Sequence, residues 1–65
     1  MKADRKKLKL AMARACMSNA DLLAATGLPG PTVKNVLAGK GVRPTTLGHV
    51  AKALGVDPVE IIGEV

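Results

Sequence analysis

The chain has 65 residues, enough for one small domain and not for two. Hydrophobic residues make up 48% of it and aromatic residues 0%, so the core must be built from Ala, Leu, Val, Ile and Met. This composition excludes a disordered chain, and the ten alanines favour closely packed helices over a sheet. The single cysteine cannot form an internal disulfide, and no apolar run approaches the ~20 residues of a membrane span. We therefore expect one all-α cytoplasmic domain over residues 1–65, with its core at about 4–63.

The side chains that common catalytic chemistries need are missing. One histidine, one cysteine and one serine are too few for a metal cluster or for a Ser–His or Cys–His nucleophile. Gly39-Lys40 is similar to the end of a phosphate-binding loop, but Lys34 stands where that loop requires glycine, and no Ser or Thr follows. We expect no enzyme activity, no metal and no cofactor.

Charge is unevenly distributed along the chain. Ten basic and five acidic side chains give a net charge of +5. Residues 1–43 hold nine of the basic and two of the acidic side chains, whereas residues 44–65 hold one basic and three acidic. A small domain with a basic portion is typical of proteins that bind a polyanion, and charge alone leaves a well-solvated surface as the alternative.

Two helices are predicted in the first half of the chain. Asp4 is a suitable N-cap for a helix that reaches about Cys16, with apolar positions at i, i+3, i+4 and i+7. We expect Cys16 to fill a small space in the core. Ser18 and Asp21 resemble a capping box at the start of a second helix, which Gly27 ends. The predicted inner face of this second helix consists of Leu22, Leu23 and Thr26.

Three further helices are predicted after the turn at residues 27–30. Pro31 suits the first turn of a third helix, whose apolar edge is Val33, Val36 and Leu37 and which Gly39 ends. Thr45 or Thr46 is expected to cap a fourth helix that stops at Gly55. Asp57-Pro58 is expected to start a short fifth helix that carries Val59, Ile61 and Ile62. The arrangement of the second and third helices is that of a helix-turn-helix.

Several segments resemble the Cro/C1-type (XRE) helix-turn-helix family of bacterial and phage regulators. Residues 17–22 are similar to the opening of that family's second helix, and residues 26–28 to its turn. Residues 32–40 are similar to its recognition helix and the start of the loop that follows, and residues 43–56 are similar to the C-terminal part of the domain. The resemblance implies a compact five-helix, lambda-repressor-like DNA-binding domain whose recognition helix, at about residues 30–38, enters the major groove.

By position, the resemblance implies eight DNA-binding residues. Gly30, Pro31, Lys34 and Asn35 occupy sites that read base edges in relatives, and Asn19 stands where Gln usually holds a phosphate. Lys40 and Arg43 match exit-loop positions that meet the DNA backbone. Thr32 completes this set, since Gly30 and Pro31 offer no side-chain hydrogen bond and direct readout falls to Thr32, Lys34 and Asn35.

The chain departs from the family pattern around the turn. Leu23 stands where a small Ala usually lets the second and third helices cross closely, and Pro29 replaces the usual Ser or Thr N-cap.

We interpret the protein as a sequence-specific regulator that binds double-stranded DNA. A protein-interaction module, such as an antitoxin-like or phage accessory protein with weak DNA binding, is the alternative. We also expect a weak homodimer through the C-terminal apolar group Val56, Ile61 and Ile62.

Overall fold

A computed structural model describes residues 1–64 of the chain. Four α-helices occur in these residues, and a short strand lies at either end of them. The elements in chain order are β1 (Lys2–Ala3), α1 (Arg5–Ala15), α2 (Asn19–Thr26), α3 (Gly30–Leu37), α4 (Pro44–Leu54), a 3-10 turn (Pro58–Glu60) and β2 (Ile62–Glu64). No helix in the described part of the chain is long and apolar enough to cross a membrane.

The predicted caps of α1 and α2 are confirmed. The Asp4 carboxylate accepts hydrogen bonds from the backbone N–H groups of Lys6 and Lys7, at 2.9 and 3.0 Å. At the start of α2, the Ser18 hydroxyl accepts from the N–H of Asp21 at 3.1 Å, and the Asp21 carboxylate accepts from the N–H of Ser18 at 3.0 Å. These bonds satisfy N–H groups that a helix start otherwise leaves without a partner.

The predicted start of α4 is wrong by two or three residues. Arg43 is the N-cap and Pro44 is the first helical residue, so neither Thr45 nor Thr46 caps the helix. Proline favours this position because its fixed φ is already helical and its missing N–H would have no partner there.

The predicted mostly helical fold is confirmed, but five helices and an all-α chain are not. After α4 the described residues, up to Glu64, form one 3-10 turn, Pro58–Glu60, and then the strand β2, which pairs antiparallel with β1. Ala3 lies opposite Ile62 in this two-stranded sheet. The apolar spacing of Val59 and the two isoleucines was compatible with a helix, but the chain becomes extended where a partner strand is available.

The backbone around β2 lies very close to the backbone at the start of α1. The N–H of Asp4 donates to the carbonyl oxygen of Ile61 at 2.8 Å. A Cβ added to Gly63 would lie 2.9 Å from the backbone nitrogen and Cα of Asp4, closer than real Cβ atoms come. Glycine at position 63 therefore allows the C-terminal segment to lie directly against the start of α1.

One cluster of buried apolar side chains joins all four helices, β1 and the C-terminal segment. Its largest fully buried members are Leu8, Leu22, Val36, Leu47, Val50 and Ile61. Since Ile61 is 0% exposed, it belongs to the core and does not contribute to a dimer seam, contrary to the prediction. Val56 and Ile62 are half-buried and pack against the same cluster.

Two residues that were predicted to face inward are exposed. Cys16 ends α1 in the left-handed conformation, with φ at +54°, and this turn directs its side chain to solvent rather than into the core. Leu23 remains 38% exposed although its neighbour Leu22 is fully buried. Adjacent helical residues point about 100° apart, so Leu23 lies beside the core-facing side of α2.

Candidate nucleic-acid interface

The connection between α2 and α3 is held at both ends by hydrogen bonds. The Thr26 hydroxyl donates to the carbonyl oxygen of Leu23 at 3.2 Å and accepts from the N–H of Leu28 at 3.4 Å. At the other end, the carbonyl oxygen of Pro29 accepts from the N–H groups of Thr32 and Val33, at 3.0 and 3.2 Å. The two helices and the three residues between them thus form a defined helix-turn-helix.

The third helix has one buried side and one exposed side. Val33 and Val36 are 3% and 0% exposed, whereas Lys34 and Asn35 are exposed. Pro29 is the N-cap without a side-chain hydrogen bond, as the sequence predicted. The core therefore fixes α3 through its valines and leaves its polar side chains available to a partner.

A shallow groove between α2 and α3 brings together three of the predicted site residues. Asn19 contributes from the first turn of α2, and Gly30 and Lys34 contribute from α3. Gly30 and Lys34 are four residues apart and thus lie on one face of the helix. Asn19 therefore lines the α2 side of this groove and Lys34 its α3 side.

A second groove, at the N-terminal end of α3, contains Thr32 and Arg43. Arg43 lies there because it is the N-cap of α4, and Thr46 from the first turn of α4 lines the same groove. Sequence reasoning treated Thr46 only as a possible cap. Pro31 is exposed in the first turn of α3 and lines neither groove.

The exit from α3 is a hydrogen-bonded reversal of the chain. Gly39 has φ at +76° and donates its N–H to the carbonyl oxygen of Val36 at 3.1 Å. Lys40 donates its N–H to the carbonyl oxygen of Asn35 at 3.0 Å. Together these two bonds form a Schellman motif, which holds exposed Lys40 directly beneath the end of the helix.

Cations of α1 also lie beside this surface. Arg5 and Lys9 line a groove with Asn19 and with Leu37 from the last turn of α3. Arg5 also contacts the helix exit, because a Cβ added to Gly39 would lie 3.2 Å from its Cγ. The sequence showed only that residues 1–43 are basic; no spacing signal links Arg5 to Asn19, since only the fold brings α1 beside the start of α2 and the end of α3.

Two carboxylates near this basic surface are committed to helix caps. The backbone N–H of Ser18 and then its side chain hold the pKa of Asp21 below its usual value, against a smaller opposing effect of burial. The pKa of Asp4 is also lowered, most strongly by the hydrogen bond from the backbone N–H of Lys7. The backbone N–H of Lys6 and the positive charges of both lysines lower it further. Both carboxylates therefore stay ionised at neutral pH and stabilise the helix starts.

Comparison with known proteins identifies the family. The family model of the Cro/C1-type HTH DNA-binding domain matches residues 7–64, nearly the whole chain. Searches among curated proteins and among solved structures gave no significant match. The match spans most of α1, the helix-turn-helix, α4 and the C-terminal turn and strand, all of which pack on one core. The chain therefore belongs to the family of Cro/C1-type helix-turn-helix DNA-binding domains.

Proposed function

We propose that the protein is a sequence-specific transcriptional regulator that binds double-stranded DNA with α3 in the major groove. The observation that carries this proposal is that α3 has a buried side with Val33 and Val36 and an exposed side with Lys34 and Asn35. A helix of this kind fits the width of the major groove, and the core holds it in a fixed orientation.

Three side chains of α3 are suited to reading base edges. Lys34 donates hydrogen bonds that match guanine O6 and N7, and Asn35 offers the donor and acceptor pair that matches adenine N7 and N6. Thr32 is half-buried and has a hydroxyl and a methyl group. Its methyl group suits contact with thymine.

The residues around α3 are suited to the DNA backbone. Lys40 and Arg43 carry positive charge at its two ends, and Asn19 at the start of α2 offers an amide to a phosphate oxygen. Gly30 and Pro31 present little side-chain bulk in the first turn of α3, so the helix backbone is able to approach the DNA closely. Arg5 and Lys9 extend the positive surface along α1.

We further propose that two copies bind one palindromic site. One helix in one groove contacts some four or five base pairs, too few to select a site in a genome. Among the described residues after α4, the most exposed large apolar side chain is that of Val59, which is 66% exposed on the 3-10 turn. Its small area favours a pair that is weak in solution and forms on DNA.

Selection of bound duplexes from a random-sequence pool tests this function. A single palindromic consensus, recovered in independent selections at moderate salt, is the expected result. An unenriched pool, together with binding that responds to apolar protein partners and not to salt, would favour the alternative of a protein-interaction module.

A further inference from the structure

The groove between α2 and α3 has an apolar interior with a polar rim. Ala20 and Leu23 line it from α2, while Gly30 and Val33 line it from α3. Val33 is 3% exposed and therefore lies at the bottom, whereas Leu23 is 38% exposed and therefore lies at the opening. Asn19 and Lys34 are exposed and lie at the edges.

Two residues of unequal size, Leu23 and Gly30, line this groove from its two helices. Leu23 lies beside the core-facing side of α2 and keeps part of its side chain at the surface. Gly30, across from it, has no side chain, and a Cβ added there would meet no atom within 4 Å. The result is an exposed leucine next to free space on the surface that carries Lys34.

Only one apolar group projects into the major groove of DNA, the C5-methyl of a pyrimidine, which thymine carries. Lys34 and Asn19 on the rim supply the hydrogen-bond donors that a neighbouring base edge or phosphate requires. The groove between α2 and α3, with its apolar interior and cationic edge, is therefore complementary to a thymine whose neighbours offer oxygen and nitrogen acceptors.

We propose that Leu23 is a specificity-determining residue and that the notch it forms with Ala20 and Gly30 accepts the methyl group of one thymine in each half-site. This inference rests on the proposed function, since it requires the DNA to lie against α3. Leucine in place of a small residue on α2 thus adds an apolar contact where Gly30 and Pro31 offer no polar one.

The test replaces single thymines of the selected site by deoxyuridine, which differs only in lacking the methyl group. Fluorescence anisotropy then measures the affinity of the wild-type protein and of Leu23→Ala for each duplex. We expect one thymine per half-site whose replacement weakens wild-type binding about three- to fivefold, the contribution of one buried methyl group. Leu23→Ala should bind the thymine and deoxyuridine duplexes equally well.

Two further variants control for stability and position. Leu23→Gln keeps the length of the side chain and helix propensity, so it replaces Leu23→Ala if that variant does not fold by circular dichroism. It should likewise lose the preference for thymine. Leu10→Ala removes another leucine that is 62% exposed, on α1, and should keep the preference.

The possible outcomes separate this inference from the function beneath it. Salt-sensitive, sequence-specific binding that is the same for every thymine and deoxyuridine duplex would overturn the role of the notch and leave the function intact. A thymine preference that persists in Leu23→Ala and Leu23→Gln would assign the methyl contact to another residue and also overturn it. Absence of binding to any duplex would overturn both proposals.

Discussion

The backbone N–H of Lys40 donates to the carbonyl oxygen of Asn35 at 3.0 Å. This bond joins a residue proposed to contact the DNA backbone, Lys40, to a residue proposed to read a base, Asn35. This bond exists because Gly39 between them adopts φ of +76°. The end of α3 and the start of the exit loop are therefore joined by backbone hydrogen bonds. A change in the backbone at Gly39 is expected to move both groups relative to the DNA.

Gly39→Ala should destabilise the fold by about 1–2 kcal/mol, since a side chain in the left-handed conformation is strained. Its Cβ would also lie 3.2 Å from Cγ of Arg5. Urea denaturation followed by circular dichroism measures the loss. Gly48→Ala is the matched control, because Gly48 lies inside α4 with open space around it and without a positive φ. It should raise stability by about 0.5–1 kcal/mol. Equal effects at the two positions would contradict the assigned role of Gly39.

Lys40→Ala and Arg43→Ala should weaken binding to specific and random duplexes to a similar extent. Each lost phosphate contact should make the slope of log affinity against log salt shallower by about 0.9. Lys52→Ala is the control of equal charge, because Lys52 lies in the last turn of α4, at the end opposite to Arg43. Titrations at several salt concentrations measure these slopes. A slope unchanged in both variants would exclude phosphate contacts at the exit loop.

Asn35→Ala should weaken binding to the preferred site by about 1–3 kcal/mol and relax selection at one base pair. Binding to random DNA should remain nearly unchanged, since the side chain is uncharged and exposed. Competition between all four bases at each position measures the preference. Equal losses on specific and random duplexes would instead make Asn35 a backbone contact.

Acidification should destabilise the protein through its helix caps. Asp4 and Asp21 have pKa values lowered by folding, so each contributes stability that is complete above its unfolded pKa and is lost as the pH falls through its folded pKa. Thermal unfolding should therefore shift to lower temperature as the pH falls below about 5. Asp21→Asn keeps an acceptor for the N–H of Ser18 but removes the titration, so its stability should depend less on pH. A wild-type dependence retained in both Asp21→Asn and Asp4→Asn would point to other groups.

Two copies should bind a palindrome cooperatively, with half-sites one helical turn apart, or ~34 Å. Sedimentation should show a mostly monomeric free protein at micromolar concentration. Val59→Ser should reduce the gain from the second half-site because it removes the exposed apolar side chain of the 3-10 turn. Affinity for an isolated half-site serves as the control and should not change. Equal affinity per half-site in the wild-type protein would exclude pairing on DNA.

The sequence by itself determined the helix-turn-helix. Ser18 and Asp21 form the capping box, Gly27 ends α2, and Gly30–Leu37 follows the predicted position of the third helix closely. Local signals succeed here because caps, glycine turns and apolar spacing act within one or two turns of a helix. The inward direction of Val33 and Val36 followed from the same periodicity.

Only the tertiary structure decided which exposed groups meet and how the chain ends. The groove that joins Asn19 to Lys34, and the approach of Arg5 to Gly39, depend on packing between helices that are distant in sequence. The strand at Ile62–Glu64 forms because β1 provides a partner and Gly63 permits contact with Asp4. Periodicity cannot show this, since a short apolar segment fits a helix or a strand until a neighbour satisfies its backbone hydrogen bonds.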